Sequence, residues 1–150
     1  LIKLSQGELV ALEKLEGIFV GAEFVSQIWI DGSSTDNFIY AVVVPEFPKL
    51  SGAIATKVGS PKNESELCSS DVARSVVLES LRKTAQEAKL QGFEIPKAVH
   101  LESQPWTPEQ ESIMTPTLKF KRAALRLKYA EKIESMRASV NSAMSTTDKK

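Results

Sequence analysis

One cysteine and one histidine among 150 residues leave little room for the commoner enzyme constellations. Cys68 has no partner for an internal disulfide and no metal-type spacing around it. A lone thiol of this kind suits a reducing compartment and reads as a small buried residue. His100 stands in no recognisable Ser, Cys or carboxylate constellation, so it reads as a solvent-facing strand residue rather than a general base. No glycine-rich phosphate loop of either common type is present, and no cluster of metal ligands. No run of about 18 apolar residues exists to span a membrane, and no charged-then-apolar leader marks secretion. The formal net charge is zero, which argues against a general nucleic-acid binder. An active site built on this chain therefore holds only part of its chemistry here.

What is present suffices for a core. With 42% hydrophobic and 25% charged residues, a chain of this length is expected to fold as a single domain. Residues 1–5 and 8–11 flank Gly7 as a short hairpin. Leu12, Leu15, Phe19 and Val20 recur at helical spacing that ends near Gly21. A strand from Phe24 to Asp31, the turn G-S-S-T-D-N and a second strand at 38–44 follow. That second strand is apolar on both faces and is expected to be central and covered on both sides. Pro45 and Pro48 stop it, and 49–58 reads as a short helix before a G-S-P-K-N loop. Ser70 or Asp71 caps a long helix whose stripe runs Ala73, Val77, Leu81, Ala85 and Ala88, with Gly92 as its expected stop. After Pro96, K-A-V-H-L-E alternates as a third strand, with Val99 and Leu101 on one face. Leu125, Tyr129, Ile133, Met136 and Val140 make a second helical stripe. The order β, α, ββ, α, β, α predicts an α+β fold: a small three-stranded sheet covered by helices, with an N-terminal hairpin-like loop and a C-terminal basic helix.

The charges are unevenly spread. Residues 1–36 hold two basic and six acidic side chains, whereas 115–132 hold Lys119, Lys121, Arg122, Arg126, Lys128 and Lys132 against Glu131 alone. A segment of net charge +5 favours a phosphate, a carboxylate or an anionic membrane surface, or is simply a solvated basic face. At its head, M-T-P-T-L-K-F-K-R sets bare cations behind a stiff Thr115-Pro116-Thr117 turn.

Two separated segments carry a resemblance. The opening I-K-L-S-Q-G-E-L-V-A-L-E-K-L-E is similar to the start of the C-terminal domain of long-chain fatty acyl-CoA synthetases, members of the AMP-forming adenylating superfamily. M-T-P-T-L-K-F-K-R resembles the catalytic lysine loop of the same family. V-V-V-P-E and L-Q-G-F-E-I-P-K-A-V-H-L fall between them in matching order, so the likeness covers about residues 1–130. Departures are Leu12, where relatives usually carry Pro, and Thr117-Leu118, where many distant members carry Ser-Gly before the lysine. The Thr-x-Lys form is associated with the long-chain branch.

The resemblance implies a lid domain over residues 1–144 and a polar, disordered tail at 145–150. A larger N-terminal catalytic domain would be absent from this chain, which begins at Leu1 inside an apolar run and reads as an excised domain. It implies that fatty acid is activated with ATP to an acyl-adenylate, after which the lid rotates for thioester formation with coenzyme A. Lys119 matches the catalytic lysine; Ser5, Gln6, Gly7 and Glu8 match the loop facing coenzyme A. Lys121 and Arg122 are candidates for anion contact or loop anchoring, and no metal ligand is expected. ATP, coenzyme A and Mg would be held mainly by the N-terminal adenylating domain of the same polypeptide, with none expected on the isolated, inactive fragment. Fatty acid and coenzyme A are the implied substrates, with no nucleic acid partner. The parent enzyme is expected to be intracellular and cytoplasmic, in peripheral contact with the endoplasmic reticulum, peroxisome or other membranes. The alternative is a non-catalytic interaction or membrane-surface module using the basic 119–132 helix.

Overall fold

The computed structural model describes the backbone of residues 1–148 and the side-chain surroundings of residues 1–143. The polar tail expected at 145–150 falls mostly in the last helix, whose backbone runs to Asp148, and residues 149–150 lie outside the described residues. The chain forms two compact units, Leu1–Ser103 and Gln104–Lys150.

The first unit opens with a hairpin, β1 (Ile2–Lys3) against β2 (Leu9–Val10), in which Ile2 faces Val10 and Lys3 faces Leu9. Helix α1 (Leu12–Phe19) follows and buries Leu12, Leu15 and Phe19, the positions that its sequence spacing places on one side. Strands β3 (Val25–Asp31) and β4 (Tyr40–Pro45) pair antiparallel, and β5 (Ala98–Leu101) joins β4 in parallel, giving the order β3-β4-β5. Every residue of β4 is buried, as its unbroken apolar run predicts for a central strand. Pro45 is accepted as the last residue of β4. It lies opposite Val25, beside a register shift, where a missing N–H costs least.

A parallel β4–β5 pair needs a crossover, and residues 46–97 supply it with α2 (Phe47–Val58), α3 (Glu64–Cys68) and α4 (Asp71–Glu87). Ala73, Val77, Leu81 and Ala85 of α4 are completely buried in one apolar cluster with Ile39, Ala41 and Val43 of the sheet segment. Each fully buried Val or Leu in that stripe contributes about 1.5–3 kcal/mol. Of the two capping candidates Ser70 is the N-cap, its Oγ accepting the Ala73 N–H at 3.2 Å, while Asp71 pairs with Arg74 one turn on. Helix α3 is an element that the periodicity did not indicate. Its signal is the pair Asn63 and Glu66, since Asn63 Oδ1 accepts the Glu66 N–H at 2.8 Å as an N-cap.

The expected stop at Gly92 is corrected. Helix α4 ends at Glu87, and Lys89 takes the left-handed conformation at φ +58°. The Lys89 N–H reaches Gln86 O at 3.1 Å and the Leu90 N–H reaches Ala85 O at 3.0 Å, closing the last carbonyls in a Schellman arrangement. Leu90 packs against the core beside buried Ala85, and that contact offsets the steric penalty of a non-glycine residue there. Gly92 instead begins a single 3₁₀ turn, Gly92–Glu94, bracketed by Gln91 and Glu94.

In the second unit, α5 (Arg122–Lys128) and α6 (Ala130–Asp148) share one buried stripe of Leu125, Tyr129, Ile133, Met136 and Val140. The helix is interrupted at Tyr129 (φ −103°, ψ 17°), yet its amide still donates to Leu125 O and its carbonyl still accepts from Ile133, so the stripe runs on unbroken. Buried Trp106 donates its indole N–H to the Tyr129 hydroxyl at 2.9 Å and meets Phe120 edge-on, with ring centroids 5.4 Å apart.

Candidate functional site

Residues 114–120 form a tight hairpin. Met114 bridges Phe120 antiparallel, the Thr115 N–H donates to Lys119 O at 2.8 Å, and the Leu118 N–H donates to Thr115 O at 3.0 Å. Pro116 sits where its fixed φ suits the first central position of the turn. Because the Thr115 carbonyl is occupied by Leu118, the Lys119 N–H is accepted by the Thr115 hydroxyl at 3.1 Å, which also meets the Thr117 hydroxyl at 3.1 Å. A three-residue loop of this kind is closed by a residue in the left-handed region, ordinarily glycine. Here it is Leu118, at φ +67°, at a cost of roughly 1–2 kcal/mol for an L side chain.

The product of this geometry is a lysine whose backbone is fixed. Lys119 is exposed at the end of the loop and, among the described residues, has no carboxylate partner. Lys121 is tied back into the hairpin, its N–H to Ile113 O at 2.8 Å and its Nζ to Glu111 O at 2.5 Å. Arg122 is half-buried as the first residue of α5.

Ser5, Gln6, Gly7 and Glu8 lie in the β1–β2 turn, which repeats the same backbone pattern. The Leu4 N–H donates to Glu8 O and the Gly7 N–H to Leu4 O, both at 2.9 Å, with Gly7 at φ +93°. Glu8 thus stands where Lys119 stands, and Gly7 where Leu118 stands. An added Cβ on Gly7 would come no closer than 4.0 Å to another side chain, Lys3 Cε, so within the fold the dihedral rather than crowding calls for glycine. The turn is held from outside itself: the Ser5 N–H donates to Asp36 O at 2.9 Å and Gln6 Nε2 to Asn37 O at 3.2 Å. Asp36 is buried and accepts from the Ser33 hydroxyl at 3.0 Å. No sequence signal identified the 33–37 loop as this buttress.

The other chemically active side chains lie apart from these turns. No group of three or more metal-ligating residues occurs among the described residues. His100 is half-buried on β5. A groove of about 620 Å³ along α4 is floored by Phe24, Val72 and Val76, but Lys57 and Lys83 there are offset by Glu23, Asp71 and Glu79, so it offers no net positive field. Cys68 is buried, and burial, followed by repulsion from Glu102 and Glu64, pushes its thiol up to about 11. The thiolate is therefore scarce at neutral pH. Iodoacetamide at pH 7.5 is expected to alkylate Cys68 at least tenfold more slowly in the folded chain than in urea. Since the folded group keeps its proton above the usual thiol range, its contribution to stability is complete below pH 9 and is lost as pH rises towards 11.

The comparisons agree with this architecture. No protein-family model matches the chain. The adenylation domain of a carboxylic acid reductase from Segniliparus rugosus, solved with AMP and a co-purified carboxylic acid, superposes with a TM-score of 0.75 at 34% identity over 93% of this chain and 20% of that one. Long chain acyl-CoA synthetase 2 of Arabidopsis thaliana is 38% identical over 129 residues, 86% of this chain and 19% of that protein. Long chain acyl-CoA synthetase 1 of the same plant is 41% identical over 136 residues, 91% of this chain and 20% of that protein. Fold and sequence together define the class as AMP-forming adenylating enzymes. Within it the chain is similar over most of its length to long-chain acyl-CoA synthetases, and it spans about one fifth of these two relatives.

Proposed function

We propose that the chain is the C-terminal mobile domain of a long-chain fatty acid–CoA ligase, supplying the adenylation lysine from one hairpin and the coenzyme A-facing loop from the other. The observation that carries this reading is the 115–119 hairpin, in which the Thr115 hydroxyl, Pro116 and the Leu118 dihedral hold Lys119 exposed at its closing position. In the first half-reaction the fatty carboxylate attacks the α-phosphate of ATP and pyrophosphate leaves. Negative charge crowds between carboxylate and phosphate, and the Lys119 ammonium stabilises it, with little entropy lost because the loop is already ordered. In the second, the coenzyme A thiol attacks the acyl carbonyl and AMP leaves. The turn at Ser5, Gln6, Gly7 and Glu8 then faces the pantetheine arm, where the absent side chain of Gly7 leaves room.

Lys121 and Arg122 anchor the hairpin and begin the basic helix in this reading. ATP, Mg and most of coenzyme A are held by a larger N-terminal adenylating domain of the same polypeptide. The parent enzyme works inside the cell, in the cytoplasm or against the surface of an internal membrane. The 150 residues alone, purified and given ATP, fatty acid and coenzyme A, are expected to form no acyl-CoA, whereas the full-length enzyme does. Sustained turnover by the isolated chain, scaling with its concentration, would overturn the proposal.

A further inference from the structure

We propose that Leu118 is an apolar docking residue, packing on the apolar rim of the adenylating domain's cleft when the hairpin delivers Lys119. The inference rests on the reading of Lys119 given above and adds to it what holds the lysine in place.

Two features of Leu118 work against the isolated unit. Its side chain is 66% exposed, and its φ of +67° lies where only glycine is free of steric cost. The hairpin demands the dihedral but not the leucine. The turn at residues 4–8 makes the same two backbone hydrogen bonds with glycine at the matching position. A strained residue that keeps a large exposed apolar side chain points to a contact made outside the described fold. Pro116, Thr117 and Lys119 beside it are exposed as well, so Leu118 is the large hydrophobic group at the hairpin's tip. Leu118 directly precedes Lys119 at the tip, so a surface that receives the lysine lies within reach of the leucine. The chain spans about one fifth of its relatives, so the receiving surface belongs to the remainder of the polypeptide. Burial of the side chain there favours the adenylation arrangement over the thioester-forming one, in which this hairpin is withdrawn.

The test uses the full-length enzyme with Leu118→Gly and Leu118→Asn, both of which tolerate the left-handed conformation. Each variant is expected to lose about tenfold or more in kcat for pyrophosphate exchange, the effect of forfeiting one buried leucine. KM for ATP and fatty acid should stay near wild type, the melting temperature should be unchanged or raised, and thioester formation from synthetic acyl-adenylate should persist. A merely structural Leu118 predicts the opposite, exchange as fast as wild type or faster once strain is relieved. Wild-type exchange in both variants, or equal loss of both half-reactions, overturns the inference. Lys119→Ala is measured alongside. If it abolishes exchange while the Leu118 variants are normal, only the docking role falls; if it leaves exchange intact, the reading of the lysine falls and this inference with it.

Discussion

Replacing Lys119 by alanine in the full-length protein is expected, on the function proposed above, to lower pyrophosphate exchange by roughly a hundred- to a thousandfold, the usual cost of losing one preorganised charge-stabilising group. The fold should survive, because the Lys119 side chain is exposed and the hairpin is held by the backbone of Lys119 and the Thr115 hydroxyl rather than by the ammonium. Acyl transfer from synthetic acyl-adenylate to coenzyme A should continue, since the lysine is proposed to leave the site before the thiol attacks. Lys121→Ala provides the contrast. It removes the Nζ hydrogen bond to Glu111 O, an exposed contact worth about 1 kcal/mol, and should cost exchange only a few fold. Exchange and acyl transfer measured on both variants separate the roles. A crippled Lys121→Ala beside an active Lys119→Ala would move the catalytic cation to the other lysine.

Gly7→Val should invert that pattern, impairing thioester formation by about five- to thirtyfold and adenylation much less. The size corresponds to roughly 1–2 kcal/mol of lost transition-state stabilisation from a side chain placed where the pantetheine arm is proposed to run; the left-handed dihedral at Gly7 adds a strain that β branching increases and that falls on both steps alike. The hairpin has room for the new atoms, its nearest neighbour being Lys3 Cε at 4.0 Å, so gross unfolding is not the expected outcome. Circular dichroism on the variant, with the two half-reactions assayed separately, distinguishes the cases. Equal losses in both steps would mean that the strain acts on the fold and not on the passage.

Together these variants assign opposite consequences to two turns of one backbone geometry. At residues 4–8 the left-handed position carries no side chain, and at 115–119 it carries leucine. The mechanism proposed for the chain uses that difference: an open backbone where a substrate arm must pass, and an apolar grip where a cation must be held.

Much of this was legible in the residues alone. The stripe of Ala73, Val77, Leu81 and Ala85, the unbroken run of β4 and the alternation of Val99 and Leu101 all record burial at the period of their own element, so local pattern was enough to place them. The lysine loop and the glycine turn were singled out through resemblance, with the roles proposed above, and Ser70 was legible through capping chemistry. Other features depend on partners distant in sequence. That β5 lies parallel to β4 is decided by packing of the crossover helices, and that Asp36 and Asn37 brace the Gly7 turn is decided by hydrogen bonds across some thirty residues. Lys89 and Leu118 show the limit most clearly. Propensity assigns left-handed positions to glycine, and the nearby Gly92 drew that expectation. Yet the dihedrals are set at Lys89 by closure of the Ala85 and Gln86 carbonyls with Leu90 packed on the core, and at Leu118 by closure of the hairpin on Thr115. Sequence determined which segments become helix, strand and turn, because those preferences are summed over neighbours; only tertiary structure decided which residues bear the strain, because that is settled by the contacts that repay it.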